Sequence, residues 1–165
     1  MMQIRKAALD DFQIINDLAI RTWHKAYDKI LSPEQVNYML EMMYSLDAIT
    51  EQISIKGHHF LLLSEDERYL GFASYELNYL SGVTKLHKLY VLPETQGRGA
   101  GGLLMFKVEE AAVSNGNDKV SLNVNRYNSA VDFYLKSGYA KAGEEDINIG
   151  NGYLMEDFIM EKSLL

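Results

Sequence analysis

The sequence predicts an α/β fold, one domain over residues 1–165 built on a mixed β-sheet flanked by helices. Three observations carry this. Apolar residues recur at helical spacing in some segments and run together or alternate in others, giving the order β-α-α-β-β-β-α-β-α-β-β. Short polar or glycine turns join two pairs of neighbouring strands, as in antiparallel hairpins. A strand, a glycine-rich turn, a long helix and a further strand then follow one another, which requires a crossover connection.

Each element has its own signal. Ile4 to Ala7 reads as a short strand, after which Asp10 or Asp11 caps a helix through Phe12, Ile15, Leu18, Ala19 and Trp23. Ser32-Pro33-Glu34-Gln35 opens a second helix as a capping box, with Pro33 in the first turn and Val36, Met39, Leu40 and Met43 on its apolar face. Met39, Met42 and Met43 are expected to pack in the interior. Phe60 to Leu63 and Tyr69 to Tyr79 form a hairpin about the polar turn Ser64 to Arg68. Thr84 to Leu92 is a strand stopped by Pro93. A long helix follows the glycines, through Leu103, Leu104, Phe106, Val108 and Ala111, and stops near Asn115-Gly116. Lys119 to Val124 is a strand, and Ser129 to Ser137 a helix closed by Gly138. Ala140 to Lys162 is a strand pair turning at Gly150-Asn151-Gly152.

Composition narrows the function. The chain holds 165 residues, 47% hydrophobic and 24% charged, with a formal net charge of −7. That charge repels nucleic-acid and membrane phosphates and is compatible with a cationic acceptor such as a polyamine. Without cysteine there is no disulfide, thiolate metal site or cysteine nucleophile, which fits a cytoplasmic location. The start lacks the apolar run of a signal peptide, and no stretch approaches the roughly 18 apolar residues of a membrane span. His58-His59 has no third ligand nearby in sequence, so no metal site is expected there.

The strongest local motif is Gln96-Gly97-Arg98-Gly99-Ala100-Gly101-Gly102, between a predicted strand and a predicted helix. Glycines there admit positive φ and bring bare N–H groups to a ligand. With the positive end of the following helix they suit phosphate oxygens, and Arg98 adds a charge-assisted contact. No Lys-Ser or Lys-Thr follows, so this is not a nucleotide triphosphatase loop, and its spacing and mid-chain position differ from a dinucleotide fingerprint.

Gln96-x-x-Gly99-x-Gly101, preceded by Leu89-Tyr90-Val91-Leu92-Pro93-Glu94, resembles the acetyl-CoA pyrophosphate loop of the GNAT superfamily of N-acetyltransferases. Asn128-Ser129-Ala130-Val131-Asp132-Phe133-Tyr134-Leu135-Lys136-Ser137-Gly138-Tyr139 resembles the family's second hallmark. The resemblance covers nearly the whole chain. It implies the GNAT fold (a central mixed, mostly antiparallel sheet flanked by helices) and transfer of an acetyl group from acetyl-CoA, as co-substrate, to an amine. Leu89 and Val91 would pair with the pantetheine arm as an added strand does, with Tyr90 between them. N–H groups from Gln96 to Gly101, with Gly97, Gly99, Ala100 and Gly102 in the same turn, would hold the pyrophosphate. Asn128 would contact the CoA side, and Tyr134 would stand near the thioester sulfur. Direct attack of the amine gives an oxyanion, for which the Val91 N–H is a donor. Tyr134, a phenol of pKa about 10 against about 8.5 for a thiol, is the general acid.

The base is less plain. Some family members carry a Glu on the strand before the loop, but Thr84 to Leu89 holds no carboxylate. His87, on the face of Leu89 and Val91 by period-two alternation, is a candidate base, and Glu76 on the neighbouring strand is another, acting through water. Trp23, His24 and Tyr27 are candidates to line an amine pocket through cation–π attraction. Lys85, Lys88 and Arg126 are expected as solvated charges or CoA-facing contacts. The acceptor is a small-molecule or peptide amine, loosely as in bacterial spermine/spermidine acetyltransferases. Homodimers are common in the superfamily, which leaves that assembly open. The alternative is a non-catalytic acyl-CoA sensor on the same fold.

Overall fold

The computed structural model describes residues Met1–Leu165. Strand β1 (Gln3–Lys6) leads into helix α1 (Phe12–Tyr27). Asp11 stands at the cap position of α1 but does not cap it. Its carboxylate turns back, accepting the Ala8 N–H at 2.9 Å and two bonds from the Arg5 guanidinium at 2.8 and 3.0 Å. A bidentate charge-assisted pair outcompetes a single cap bond. Helix α2 (Pro33–Tyr44) starts as predicted, with Ser32 Oγ accepting the Gln35 N–H at 3.1 Å. The other half of the capping box is replaced: the Gln35 amide donates to the Leu154 carbonyl at 2.9 Å and ties α2 to the C-terminal hairpin. Met39 is buried on this helix, whereas Met42 is exposed, contrary to expectation.

A third helix, α3 (Leu46–Ser54), is absent from the predicted order. Ser45 both ends α2 and caps α3, accepting the Ala48 N–H at 3.2 Å. The cap and the Leu46, Ile49, Ile53 spacing are its signals, hidden because the helix has only nine residues and abuts the previous one.

The sheet comprises β1, β2 (His58–Glu65), β3 (Arg68–Leu80), β4 (Val83–Val91), β5 (Lys119–Asn125), β6 (Ala140–Gly150) and β7 (Tyr153–Ser163). Its order is β1-β2-β3-β4-β5-β7-β6, and every pair is antiparallel except β4 and β5. The connection between those two runs through α4 (Ala100–Ser114), the predicted crossover, and α5 (Ala130–Lys136) follows β5. At the β6–β7 turn Asn151 and Gly152 have φ of 54° and 79°, the paired positive values a tight hairpin requires.

Apolar residues divide between the two sheet faces. On one, Leu61, Leu63, Leu86, Val120 and Leu122 pack against Leu104, Met105, Val108 and Tyr134 of α4 and α5. On the other, Phe60, Leu62 and Phe72 pack against Ile15, Trp23, Val36, Tyr44 and Ile49 of α1 to α3.

Two irregularities prepare a site. β4 and β5 pair only over Val83–Leu86 and Lys119–Leu122, then separate, so β4 continues past His87 with no partner on that side. Opposite β3, Ser74 pairs with Lys88 and Tyr75 with Leu86, which leaves His87 in a bulge. The bulge overturns the expected alternation. Leu89 and Val91 face the α4 layer, while His87 stacks on His58 on the other face.

Candidate active site

A cleft of about 610 Å³ fills the gap where β4 and β5 part. Leu89, Tyr90 and Val91 line one wall, Leu122, Asn123 and Val124 the other, with the glycine turn at one end and α1 and α5 over it. Leu92 donates its N–H to Leu70 on β3 at 2.8 Å. Antiparallel alternation then turns the N–H and C=O groups of Leu89 and Val91 away from β3, toward the cleft. An extended ligand arm can pair with them as a missing strand would.

The glycine turn is built to be bare. Gly97 and Gly99 have φ of 85° and 79°, and a Cβ at either would touch nothing. The first helical bond of α4 is Leu103 N–H to Gly99 O at 3.1 Å. The N–H groups of Gly97 to Gly102 donate to no protein atom, six donors at a helix start. Gln96 is the exception, because its N–H is taken by Pro93 O at 3.2 Å. Gly101 serves packing as well: a Cβ there would meet the Phe133 ring of α5 at 3.2 Å. The donor set fits a pyrophosphate, but Arg98 does not join it. Its guanidinium pairs with Glu65 at 2.7 Å, and the side chain is not in the cleft wall. Asn128 is in the wall, and its Oδ1 accepts the Ala130 N–H at 2.9 Å to start α5.

Tyr134 lines the cleft and is 6% exposed. Burial, with Tyr27 nearby, raises its proton affinity, so it is a neutral phenol at neutral pH. The hydroxyls of Tyr27 and Tyr90 face each other at 3.2 Å, and those of Tyr44 and Tyr139 also have partners. The Tyr134 hydroxyl has none in the protein and is not sealed off, which leaves it free for a ligand in the cleft.

On the α1 side the wall consists of Thr22, Lys25, Ala26 and Tyr27. Trp23 is instead core: 2% exposed, its indole N–H donates to Tyr44 at 3.0 Å, and it packs on Tyr27 and Tyr90. His24 lies outside the cleft, exposed beside Asn16 and Glu41 in a separate small pocket. Helical periodicity separates these neighbours, since a 100° step per residue sends 23, 24 and 25 in three directions.

Two candidate residues, His87 and Glu76, converge with His58 beneath the cleft. His87 lines it, and its Nε2 lies 2.9 Å from Glu76 Oε1. His58 Nε2 lies 3.3 Å from the same oxygen, and the two imidazoles stack at 3.9 Å. Burial and the cations Lys88, Lys85 and Lys56 hold His87 below the ordinary imidazole value, so the ring is neutral at pH 7. Lys88 is not a solvated charge. It is 7% exposed, with Nζ donating to Gln52 at 2.8 Å, and burial and Lys56 push its pKa down to about 7. Lys85 donates to Asn123 at 2.6 Å, and Arg126 pairs with Asp146 at 2.6 Å. Asn123, which no sequence signal singled out, also reaches Glu145 and Asp157 at 3.3 Å. Asp157 is 6% exposed and its Oδ1 has no partner.

A splayed parallel pair, a bare glycine turn before a helix and a tyrosine from the following helix thus frame one cleft. Residues 27–161 match the family described as an acetyltransferase (GNAT) domain. The chain belongs to the GNAT acetyltransferases. A spermidine N(1)-acetyltransferase of Thermoplasma acidophilum is 28% identical over 98% of this chain and 96% of its own length. An uncharacterised N-acetyltransferase of Mycobacterium bovis is 30% identical over 90% of this chain and 94% of its own length. Among solved structures, the PaiA N-acetyltransferase of T. acidophilum in complex with coenzyme A superposes with a TM-score of 0.84 at 26% identity, covering 99% of each chain. The ribosomal-protein-S18-alanine N-acetyltransferase of Escherichia coli, at 16% identity, shares the fold with a TM-score of 0.74 over 99% of this chain and 94% of its own. No helix of this GNAT chain is long and apolar enough to cross a membrane.

Proposed function

We propose that this GNAT chain transfers an acetyl group from acetyl-CoA to a primary amine of a polyamine, by direct attack in a ternary complex. The observation that carries the chemistry is the Tyr134 hydroxyl, without a protein partner, in a cleft whose far end is the bare glycine turn. Acetyl-CoA supplies an activated thioester, and the chain supplies everything else. N–H groups of Gly97 to Gly102 hold the pyrophosphate, and backbone groups of Leu89 and Val91 align the arm. The Val91 N–H faces the oxygen that gains charge as the C–N bond forms. As the C–S bond breaks, Tyr134 gives its proton to the departing sulfur. The neutral His87 imidazole accepts the proton that the acceptor ammonium must lose, and Glu76 at 2.9 Å stabilises the imidazolium so formed.

Polyamine is favoured among amines by charge. The net charge is −7, and the β6–β7 hairpin brings Glu145 and the buried Asp157 to Asn123 in the cleft wall. The spermidine acetyltransferase among the relatives points the same way. Free-thiol release from acetyl-CoA is the test, with spermidine, a peptide and an aminoglycoside as acceptors. Turnover with spermidine above the others supports the reading. Preference for another amine overturns the acceptor, and no turnover despite calorimetric binding of acetyl-CoA overturns the activity in favour of a sensor.

A further inference from the structure

The cleft wall differs in charge from the chain as a whole. The chain carries 23 acidic side chains against 16 lysines and arginines, yet no carboxylate lines the cleft. Two lysines do, Lys25 and Lys88. Lys88 is committed elsewhere: its Nζ donates to Gln52 at 2.8 Å and lies against the Tyr44 and Phe60 rings. Lys25 is exposed, and its ammonium has no hydrogen-bond, ion-pair or aromatic partner in the protein. It is the one cation in the wall that is free for a ligand.

Helix α1 carries this lysine toward the end of the cleft where the glycine turn begins. Arg21, one helical turn earlier, reaches Glu94 Oε1 at 3.3 Å, just ahead of that turn. Tyr27, at the end of α1, meets the Tyr90 hydroxyl at 3.2 Å, further back along β4. The helix therefore runs beside the cleft from the turn inward, and Thr22 and Lys25 share the lining with Thr95 and Gln96. A helical side chain leans toward the N-terminus of its helix, which takes the Lys25 stem back toward the level of Arg21 and the turn. Arg98, the cation expected at the phosphates, is held by Glu65 at 2.7 Å. The free N–H groups of the turn supply dipoles but no formal charge.

We infer that Lys25 is the counter-charge for the pyrophosphate of acetyl-CoA, reaching it from α1 as the N–H groups of the glycine turn hold it from α4. This rests on the reading of that turn as the pyrophosphate site. The need is electrostatic. A chain of net charge −7 repels a ligand that carries a pyrophosphate and a 3′-phosphate. One ammonium in a wall without carboxylates offsets that repulsion where the ligand binds, and its flexible four-carbon stem lets it follow the phosphates. The cationic acceptor is drawn to another part of the cleft, where Glu145 and Asp157 stand at Asn123 in the β5 wall.

Calorimetry with three ligands tests this: acetyl-CoA, acetyl-dephospho-CoA, which lacks the 3′-phosphate, and S-acetylpantetheine, which lacks every phosphate. Lys25→Met should weaken the first two alike, by about fivefold to tenfold, and leave the third unchanged. Lys25→Arg, which keeps the charge, should bind all three as the wild type does. Added salt should narrow the gap between wild type and Lys25→Met. No loss, or an equal loss for all three ligands, would overturn the inference. So would a loss confined to acetyl-CoA, which assigns Lys25 to the 3′-phosphate, or a changed KM for the amine at unchanged acetyl-CoA affinity, which assigns it to the acceptor. A wild type that binds acetyl-CoA no more tightly than S-acetylpantetheine defeats instead the underlying reading of the turn as a phosphate site.

Discussion

Replacing Lys88 with methionine should stabilise the protein at neutral pH, although it removes a hydrogen bond. In the unfolded chain this amine has a pKa near 10.5, and in the folded protein burial and Lys56 bring it to about 7. Between those values the unfolded chain carries a proton that the folded one does not. Stability therefore rises with pH across the window and is lowest, on this account, at pH 7 and below. At about 1.36 kcal/mol per pH unit the full cost at pH 7 is about 5 kcal/mol, an upper bound. Methionine matches the length of the stem and sits against Tyr44 and Phe60, whose rings lie 5.6 and 5.5 Å from Nζ. Against the gain, Gln52 Oε1 loses its donor, which costs about 1–3 kcal/mol. The net is a gain of about 2–4 kcal/mol, or roughly 5–15 °C in Tm for a chain of this size. Urea unfolding at pH 7 and pH 9.5 measures it. The advantage should nearly vanish at the higher pH, where the wild-type cost has fallen to about 1 kcal/mol. A variant less stable at pH 7, or a gain equal at both pH values, would refute the assignment of Lys88 as a buried, strained cation.

Three further outcomes follow from the cleft. Tyr134→Phe should lower kcat about 100-fold with little change in acetyl-CoA affinity, measured by thiol release and calorimetry; an unchanged kcat removes the phenol from the mechanism. Gly99→Glu should abolish acetyl-CoA binding in a protein that still folds, because its side chain enters open space at the six free N–H groups; near-normal affinity would discredit that turn as the phosphate site. Trp23→Phe should cost about 1–3 kcal/mol through the unpaired Tyr44 hydroxyl while leaving the KM for amines unchanged, and a KM shift would return Trp23 to the acceptor wall.

What the sequence made legible was local. Ser32 as a cap, Gly138 as a helix stop and the Gly150 to Gly152 turn are decided by neighbouring residues, and each stands where predicted. The glycine turn was readable for the same reason, since positive φ at Gly97 and Gly99 is a property of a few adjacent positions. Three of the failures are long-range. His87 was placed with Leu89 and Val91 because alternation assumes a regular ladder, and the bulge that breaks it depends on pairing with Ser74 and Tyr75. Arg98 was given to phosphate because nothing local shows that Glu65, from another hairpin, takes it. His58 was set aside for lack of a third ligand, and strand pairing supplied both of its neighbours.

The polar groups on the inner face of the sheet form a row: His58, Glu76, His87, Lys85, Asn123 and Asp157, linked by hydrogen bonds or adjacency across β2, β3, β4, β5 and β7. Each member costs stability. Asp157 Oδ1 and His58 Nδ1 are buried without partners, and Lys88 beside the row is held far below its ordinary proton affinity. A core selected only for packing would fill these positions with apolar residues, as the flanking Leu62, Phe72 and Leu122 already do. The row crosses the sheet at the level where β4 and β5 part, which is where the cleft reaches the inner face. Cost concentrated there is the pattern expected when charge placement for a reaction constrains the residues more tightly than stability does.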